Sequence, residues 1–331
     1  MAKVTIDGHT IEVPDGTTIL EAARKIGGAI VPPAMCFYSK LKTSGGYCRT
    51  CIVKVSKGSD KDPRPMPKPV PSCRQTIMDG MVVENITSPE IMEARAGVVE
   101  FLLINHPLDC PVCDQAGECH LQDLGYEHGK AGTRYEFKRR TFPVMDIGDN
   151  IKLHMNRCIL CYRCVKVADQ LCPGRVHGVI GRGDVAEIST YIQNAVDNEM
   201  SGNMIDVCPV GALTDKTFRF KSRVWFTKPV NAHRDCDKCC GKVTLWESGN
   251  EVLRVTACKD TYGEVEDVAD GKPGWICNTC RFDKKNITDW TIEGPRKIDR
   301  HSVISANHYL EQKALKMDIK MQKLLGEKAH N

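Results

Sequence analysis

Between His106 and Cys119 the chain reads His106-Pro-Leu-Asp-Cys110-Pro-Val-Cys113-Asp-Gln-Ala-Gly-Glu-Cys119, an H-x3-C-x2-C-x5-C box. Three thiolates and one imidazole within fourteen residues can close a tetrahedral metal site with little help from the rest of the chain. The donor set suits zinc or an iron–sulfur cluster, and its spacing alone does not choose between them. The flanking sets do. Cys36, Cys48, Cys51 and Cys73 come before it; a Cys158-x2-Cys161-x2-Cys164 run with a distant Cys208-Pro209 comes after it, and both patterns are of iron–sulfur type. The expectation is a string of metal centres spaced by small domains.

The 331 residues include 18 cysteines, clustered rather than scattered. No apolar segment follows a charged start at the N-terminus, so no signal peptide is expected. The longest apolar run, Val98 to Ile104, is interrupted by Glu100 and is too short to cross a bilayer. Grouped cysteines in such a chain indicate a reducing compartment and metal rather than disulfides. With 46 basic and 42 acidic residues and no basic block interleaved with aromatics, no nucleic-acid face is indicated. Gly178-Val-Ile-Gly-Arg-Gly183 lacks the G-x-G-x-x-G order of a nucleotide loop and reads as a turn between strands at Val176–Ile180 and Val185–Ile188. With no flavin or dinucleotide motif, neither hydride chemistry nor a catalytic residue is expected on this chain.

The predicted fold class is α+β and multidomain. Residues 1–90 read as a two-iron ferredoxin-type domain of β-grasp order. Lys3–Val13 gives a hairpin about Asp7-Gly8, and Thr18-x-x-Glu21 caps a helix over Ile19–Ile26 that Gly27-Gly28 ends. A cysteine-bearing loop and the strand Ile52–Val55 follow, then a proline-rich surface insert at Asp62–Pro71. The eleven-residue gap between Cys36 and Cys48 makes this a variant of the plant-type spacing. Residues 91–130 form a small helical domain: a helix over Ile91–Ile104 delivers His106 to the cysteines, with His120, Asp123 and His128 as solvated or supporting residues. Residues 131–222 read as a bacterial-ferredoxin-like four-iron domain, with Cys172 a buried structural thiol. Residues 223–290 form a small β-rich domain in which Cys236, Cys239, Cys277 and Cys280 bracket strands Val243–Glu247 and Glu251–Thr256. Paired C-x2-C knuckles hold either zinc or a four-iron cluster, and Cys240 and Cys258 are spare. Residues 291–331 are a helical tail, with Leu310, Ala314, Met317, Met321 and Leu324 on one face.

Taken together, these motifs resemble the large iron–sulfur (G-type) subunits of respiratory complex I, the NADH:quinone oxidoreductase. The likeness covers residues 1 to about 290 and rests on three ordered ligand sets, the His106–Asp114 box, and Ser201-Gly-Asn-Met-Ile-Asp-Val-Cys208-Pro-Val-Gly-Ala-Leu-Thr214. It implies one [2Fe-2S] cluster on Cys36, Cys48, Cys51 and Cys73. It implies two [4Fe-4S] clusters, on His106, Cys110, Cys113 and Cys119 and on Cys158, Cys161, Cys164 and Cys208. Some members carry a further four-iron cluster on C-x2-C-x3-C and a distant cysteine. Cys236, Cys239 and Cys277 match three of those positions, but the remaining one is Val243, so Cys280 or Cys240 would have to serve. The family's long molybdopterin-like C-terminal domain has no counterpart in these 331 residues.

The resemblance implies a relay of single electrons from a flavin/NADH-binding subunit, through this chain, toward iron–sulfur and quinone-module subunits of the peripheral arm. The location implied is peripheral, on the cytoplasmic side of the inner membrane, with membrane contact only through the complex. Two other readings compete. The same motifs serve the diaphorase iron–sulfur subunit of an NAD-linked hydrogenase or formate dehydrogenase. A zinc-stabilised scaffold predicts zinc and no colour.

Overall fold

The computed structural model describes residues 1–296, apart from 131, 137, 173–176, 191–195 and 270. The expected helix of the tail, 308–328, lies outside the described residues. Asp7 and Gly8 are both left-handed (φ 46° and 83°), the type I′ geometry that matches strand twist in a two-residue hairpin. That turn joins β1 (Ala2–Ile6) to β2 (His9–Val13). In α1 (Ile19–Ile26) the Thr18 hydroxyl accepts from the Glu21 amide while the Glu21 carboxylate accepts from the Thr18 amide, satisfying orphan donors at both ends of the box. β3 (Ile52–Lys57), β4 (Val70–Pro71) and β5 (Met81–Glu84) complete a sheet of order β2-β1-β5-β3-β4, in which β1 and β5 run parallel. Val4, Ile6, Val13, Ile19, Val53, Val55 and Met81 fill its core.

Pro89 opens α2 (Pro89–Leu103), a position where the missing amide costs nothing. The helix points its C-terminal end toward His106 and is tied to the first sheet by a buried arginine. Arg95 donates to the carbonyls of Thr50 (3.1 Å) and Ile52 (3.0 Å) and to the Asn85 side chain. α3 (His120–His128) follows the cysteine box.

β6 (Val144–Asp146) and β7 (Ile151–His154) precede the next cysteine run, which ends in α4 (Arg163–Leu171). β8 (His177–Ile180) pairs with β9 (Glu187–Thr190), two residues later than the pattern of Val185–Ile188 predicts, because Gly183–Val185 forms a 3-10 turn. α5 (Asn203–Val207) leads through Cys208 into β10 (Leu213–Asp215), which joins the sheet β10-β7-β6.

The last sheet, β13-β12-β11-β14, is built from β11 (Lys228–His233), β12 (Lys242–Ser248), β13 (Glu251–Ala257) and β14 (Thr291–Pro295). β14 corrects the expected tail boundary at 291. Its residues are mostly exposed on an edge, so no buried alternation marks them in the sequence. One core cluster runs through Tyr38, Leu153, Val167, Val207, Leu245 and Ile276, so the segments after the first sheet share an interior with its cysteine loop. Among the described residues no helix is long and apolar enough to cross a membrane.

His177 is 2% exposed, and neither ring nitrogen has a hydrogen-bond partner. Burial pushes its pKa down to about 4. The folded protein therefore keeps it neutral, while the unfolded chain protonates it below about 6.5. The associated stability is present above that pH and is lost as pH falls toward 4. At pH 5 the loss is about 2 kcal/mol, from about 1.4 kcal/mol per pH unit. His177→Phe is expected to remove this part of the acid sensitivity. Unfolding midpoints at pH 7 and pH 5 would then differ less in the variant than in the parent, and an equal difference would contradict it.

Candidate metal centres

In the first set, Cys36, Cys48, Cys51 and Cys73 are all at most 5% exposed. The loop that carries them folds by unusual backbone conformations: Gly45 and Gly46 are left-handed, and so is Arg49 between the paired cysteines. That winding turns amides toward sulfur. Gly46 N–H donates to Cys73 Sγ (3.2 Å), and Tyr47 and Cys48 N–H donate to Cys36 Sγ (3.3 and 3.4 Å). A Cβ on Gly45 would stand 3.1 Å from Cys73 Sγ, so the backbone lies close against the site. Hydrogen bonds from Cys48 and Cys73 hold Cys36 well below the usual thiol range, and one from Cys73 lowers Cys51 to about 7. The same sharing raises Cys48 and Cys73, so protons are drawn onto two of the four thiols while amides face Cys36 and Cys73. Such a donor set fits a group needing thiolates.

In the second set, His106, Cys110, Cys113 and Cys119 line one cavity of about 550 Å³ with Arg157 and Gly211. Burial lowers the His106 pKa to about 4, so its imidazole is neutral, and its Nδ1 is buried without a hydrogen-bond partner. An orphaned neutral nitrogen beside three thiols fits a metal ligand. Burial also raises the Cys119 thiol to about 12 and raises Cys113. These protons must leave when a metal binds. His128, expected as a solvated or supporting residue, is buried and its Nε2 lies 3.2 Å from the Glu127 carboxylate.

The third set, Cys158, Cys161, Cys164 and Cys208, comes together from the loop before α4 and the Cys-Pro segment after α5. Leu160 and Tyr162 are left-handed, which lets three cysteines turn inward within seven residues. Burial pushes the Cys161 thiol up to about 12 and raises its neighbours. Charge on Cys161, Cys158 and Cys208 adds to the burial that raises Cys164. Cys172 is a buried free thiol raised to about 11 by its burial, in keeping with a core residue.

The fourth set, Cys236, Cys239, Cys277 and Cys280, also converges, with all four sulfurs within 4.8 Å of one another. Cys280 therefore takes the place that the sequence left open. Cys240 turns away, its Sγ 3.7 Å from the Lys242 carbonyl, while Cys258 accepts from the Thr244 hydroxyl and Val243 is buried in β12.

Sequence reasoning missed the residues that join the sets. Arg163, beside Cys164, is 3% exposed and donates to the carbonyls of Phe37 (2.6 Å) and Ala34 (3.1 Å), next to Cys36, and to that of Val207 (3.3 Å), next to Cys208. The rings of Tyr47 and Tyr162 meet at 4.5 Å, again linking the first and third sets. Gly211, three residues after Cys208, lies so close to the second set that a Cβ there would be 2.1 Å from Cys113 Sγ. Arg157 in turn binds Asp109 beside Cys110, at 2.9–3.0 Å. The contacts run first, third, second, which differs from the order along the chain.

Several sets of four donors, mostly buried and brought near one another by the residues beside them, define a multicentre iron–sulfur protein. A model described as a 2Fe-2S iron-sulfur cluster binding domain matches residues 1–88. The NADH-ubiquinone oxidoreductase-G iron-sulfur binding region matches 95–134, and the ferredoxin-like domain of NADH-quinone oxidoreductase subunit 3 matches 148–214. The G-type subunit of the NADH-quinone oxidoreductase of Rickettsia bellii (strain RML369-C) is 42% identical over 258 residues, 77% of this chain and 36% of that one. The 75 kDa subunit of the NADH-ubiquinone oxidoreductase of Reclinomonas americana is 40% identical over 282 residues, 85% of this chain and 38% of its own. Among solved structures, a chain of an NAD+-reducing [NiFe]-hydrogenase in the H2-reduced state superimposes with a TM-score of 0.57 at 26% identity. That match covers 67% of this chain and 91% of the other. Over the matched residues the chain belongs to the family of G-type iron–sulfur subunits of NADH-quinone oxidoreductase. It spans little more than a third of the length of these curated relatives.

Proposed function

We propose that this chain is an electron-transfer subunit of NADH:quinone oxidoreductase, relaying single electrons from a flavin-bearing NADH-oxidising subunit toward quinone. The observation that carries the reading is the close approach of the segments that carry the three sets, in the order first, third, second. Cys36, Cys48, Cys51 and Cys73 would hold a [2Fe-2S] cluster in a β-grasp ferredoxin-type domain (1–90). His106, Cys110, Cys113 and Cys119 (domain 91–130) and Cys158, Cys161, Cys164 and Cys208 (domain 131–222) would each hold a [4Fe-4S] cluster. Such clusters, when bound, accept and release one electron each.

The protein's own part is placement and electrostatics. Amides of Gly46, Tyr47 and Cys48 offset negative charge on the first set's sulfurs. Neutral His106 supplies one fewer negative charge than a thiolate, which favours the reduced state of the second set. Arg163 and Gly211 fix the separations through which electrons pass. Partners on this reading are the flavin subunit and further peripheral-arm iron–sulfur and quinone-module subunits, with the chain peripheral on the cytoplasmic face of the inner membrane.

A second reading, the diaphorase arm of an NAD-linked hydrogenase, is supported by the 91% coverage of the hydrogenase chain. Identity of about 40% over 77–85% of this chain favours the quinone enzyme. Cys161→Ser separates them in membranes and extracts of the source organism. NADH-to-quinone reduction is expected to fall to background, while NADH-to-ferricyanide reduction at the flavin persists. Loss of hydrogen-dependent NAD reduction instead would establish the hydrogenase reading, and no loss in either assay would contradict both.

A further inference from the structure

We propose that Cys236, Cys239, Cys277 and Cys280 hold one structural zinc ion rather than a fourth cluster. A tetrahedral S4 set selects zinc or an iron–sulfur group, so the choice rests on size. Cys236 Sγ and Cys277 Sγ are 3.8 Å apart, and Cys239 Sγ and Cys280 Sγ are 3.7 Å apart. A tetrahedron with zinc–sulfur bonds of about 2.3 Å has edges of about 3.8 Å. A four-iron cluster is a body of eight atoms, and its ligand sulfurs must stand around it, much farther from one another. The other three sets provide an internal contrast: among the described residues, no other group of three or more metal-ligating side chains draws its donor atoms within 4.8 Å.

The local chemistry agrees. Each C-x2-C pair forms a knuckle with its own amide donor: Gly241 N–H to Cys239 Sγ and Cys280 N–H to Cys277 Sγ, both 3.4 Å. Gly241 is left-handed, and a Cβ there would meet the Arg234 carbonyl at 2.0 Å, so the first knuckle turns as tightly as the backbone allows. The Arg234 guanidinium lies 3.8 Å from Cys280 Sγ and offsets part of the net negative charge of a tetrathiolate ion. Paired knuckles are the usual frame of a zinc ribbon.

The ion's work would be mechanical. It joins the β11–β12 loop to the turn at 277–283, 41 residues further on. That turn is bound to the third-set segment: Asn278 holds Gly202 N–H, the Asn198 carbonyl and the Ser201 hydroxyl, and Arg281 pairs with buried Asp206. Zinc here would pin the last sheet against the segment that presents Cys208. This does not rest on the electron-transfer reading.

The test is metal analysis of the anaerobically purified full chain with zinc X-ray absorption on the same sample. One zinc per chain with four sulfurs at about 2.3 Å is expected, beside about ten irons from the other sets. In Cys236→Ser/Cys239→Ser the zinc should vanish while iron stays at about ten. About fourteen irons without zinc, one extra iron in zinc's place, or zinc with a nitrogen and oxygen shell would each overturn the proposal. So would four freely titratable thiols with no metal. Failure of the electron-transfer reading shows instead in the iron and sulfide of the first three sets.

Discussion

Arg163→Met is expected to lower stability by about 2–6 kcal/mol, because it leaves the buried Phe37 and Val207 carbonyls without a donor at about 1–3 kcal/mol each, and the part-buried Ala34 carbonyl with them. The side chain is almost fully buried, and its guanidinium also lies over the Tyr38 ring at 5.1 Å. Methionine can fill the volume of the stem but cannot donate. The carbonyls that lose partners flank Cys36 and Cys208, so the damage falls on the first and third sets together. Anaerobically purified variant should carry well under ten irons, with two-iron and four-iron signals both weakened, and its thermal midpoint should drop by several degrees. Arg163→Lys keeps the charge and one donor direction but not the planar fork, and should fall between the two. A variant with unchanged iron and midpoint would show that Arg163 does not join these sites.

Gly211→Ala is expected to remove the second set's metal. No rotamer relieves the clash, because the new atom is Cβ itself, 2.1 Å from Cys113 Sγ and 3.2 Å from Gln115 Cβ. Either Cys113 leaves the set, or the loop behind Cys208 moves and strains the third set. The expected loss is about four irons of ten, read by iron and sulfide analysis. Gly97→Ala provides the control. Gly97 sits inside α2 with open space around it, so alanine there should leave iron unchanged and add up to about 1 kcal/mol of helix stability. Equal behaviour of the two variants would contradict the close approach at Gly211.

Local chemistry was legible in the sequence wherever it is written in adjacent residues. The Asp7-Gly8 turn, the Thr18–Glu21 box with α1 at Ile19–Ile26, and strands β12 and β13 lie where their patterns place them. The close cysteine pairs and runs, such as Cys48/Cys51 and Cys158/Cys161/Cys164, were also legible as candidate ligands, because their spacing is short-range geometry. Spatial order was not. The sets touch through Arg163, Arg157 and Gly211, and in a sequence buried arginines look like ordinary surface charge and a glycine looks like a turn. Arg95, which fastens α2 to the first cysteine loop, is hidden for the same reason. The choice of Cys280 over Cys240 depended on which thiol the knuckle turns inward, which only the folded backbone decides.

The central claim is that three donor sets on neighbouring segments hold one two-iron and two four-iron centres. Mössbauer spectroscopy of the full chain, grown on iron-57 and purified without oxygen, tests it most directly. About one fifth of the iron should lie in a two-iron environment and about four fifths in four-iron environments, with all of it responding to dithionite. Iron confined to single-ion sites, or zinc in all the sets with no sulfide, would contradict the account and leave a metal-stapled scaffold in place of an electron carrier.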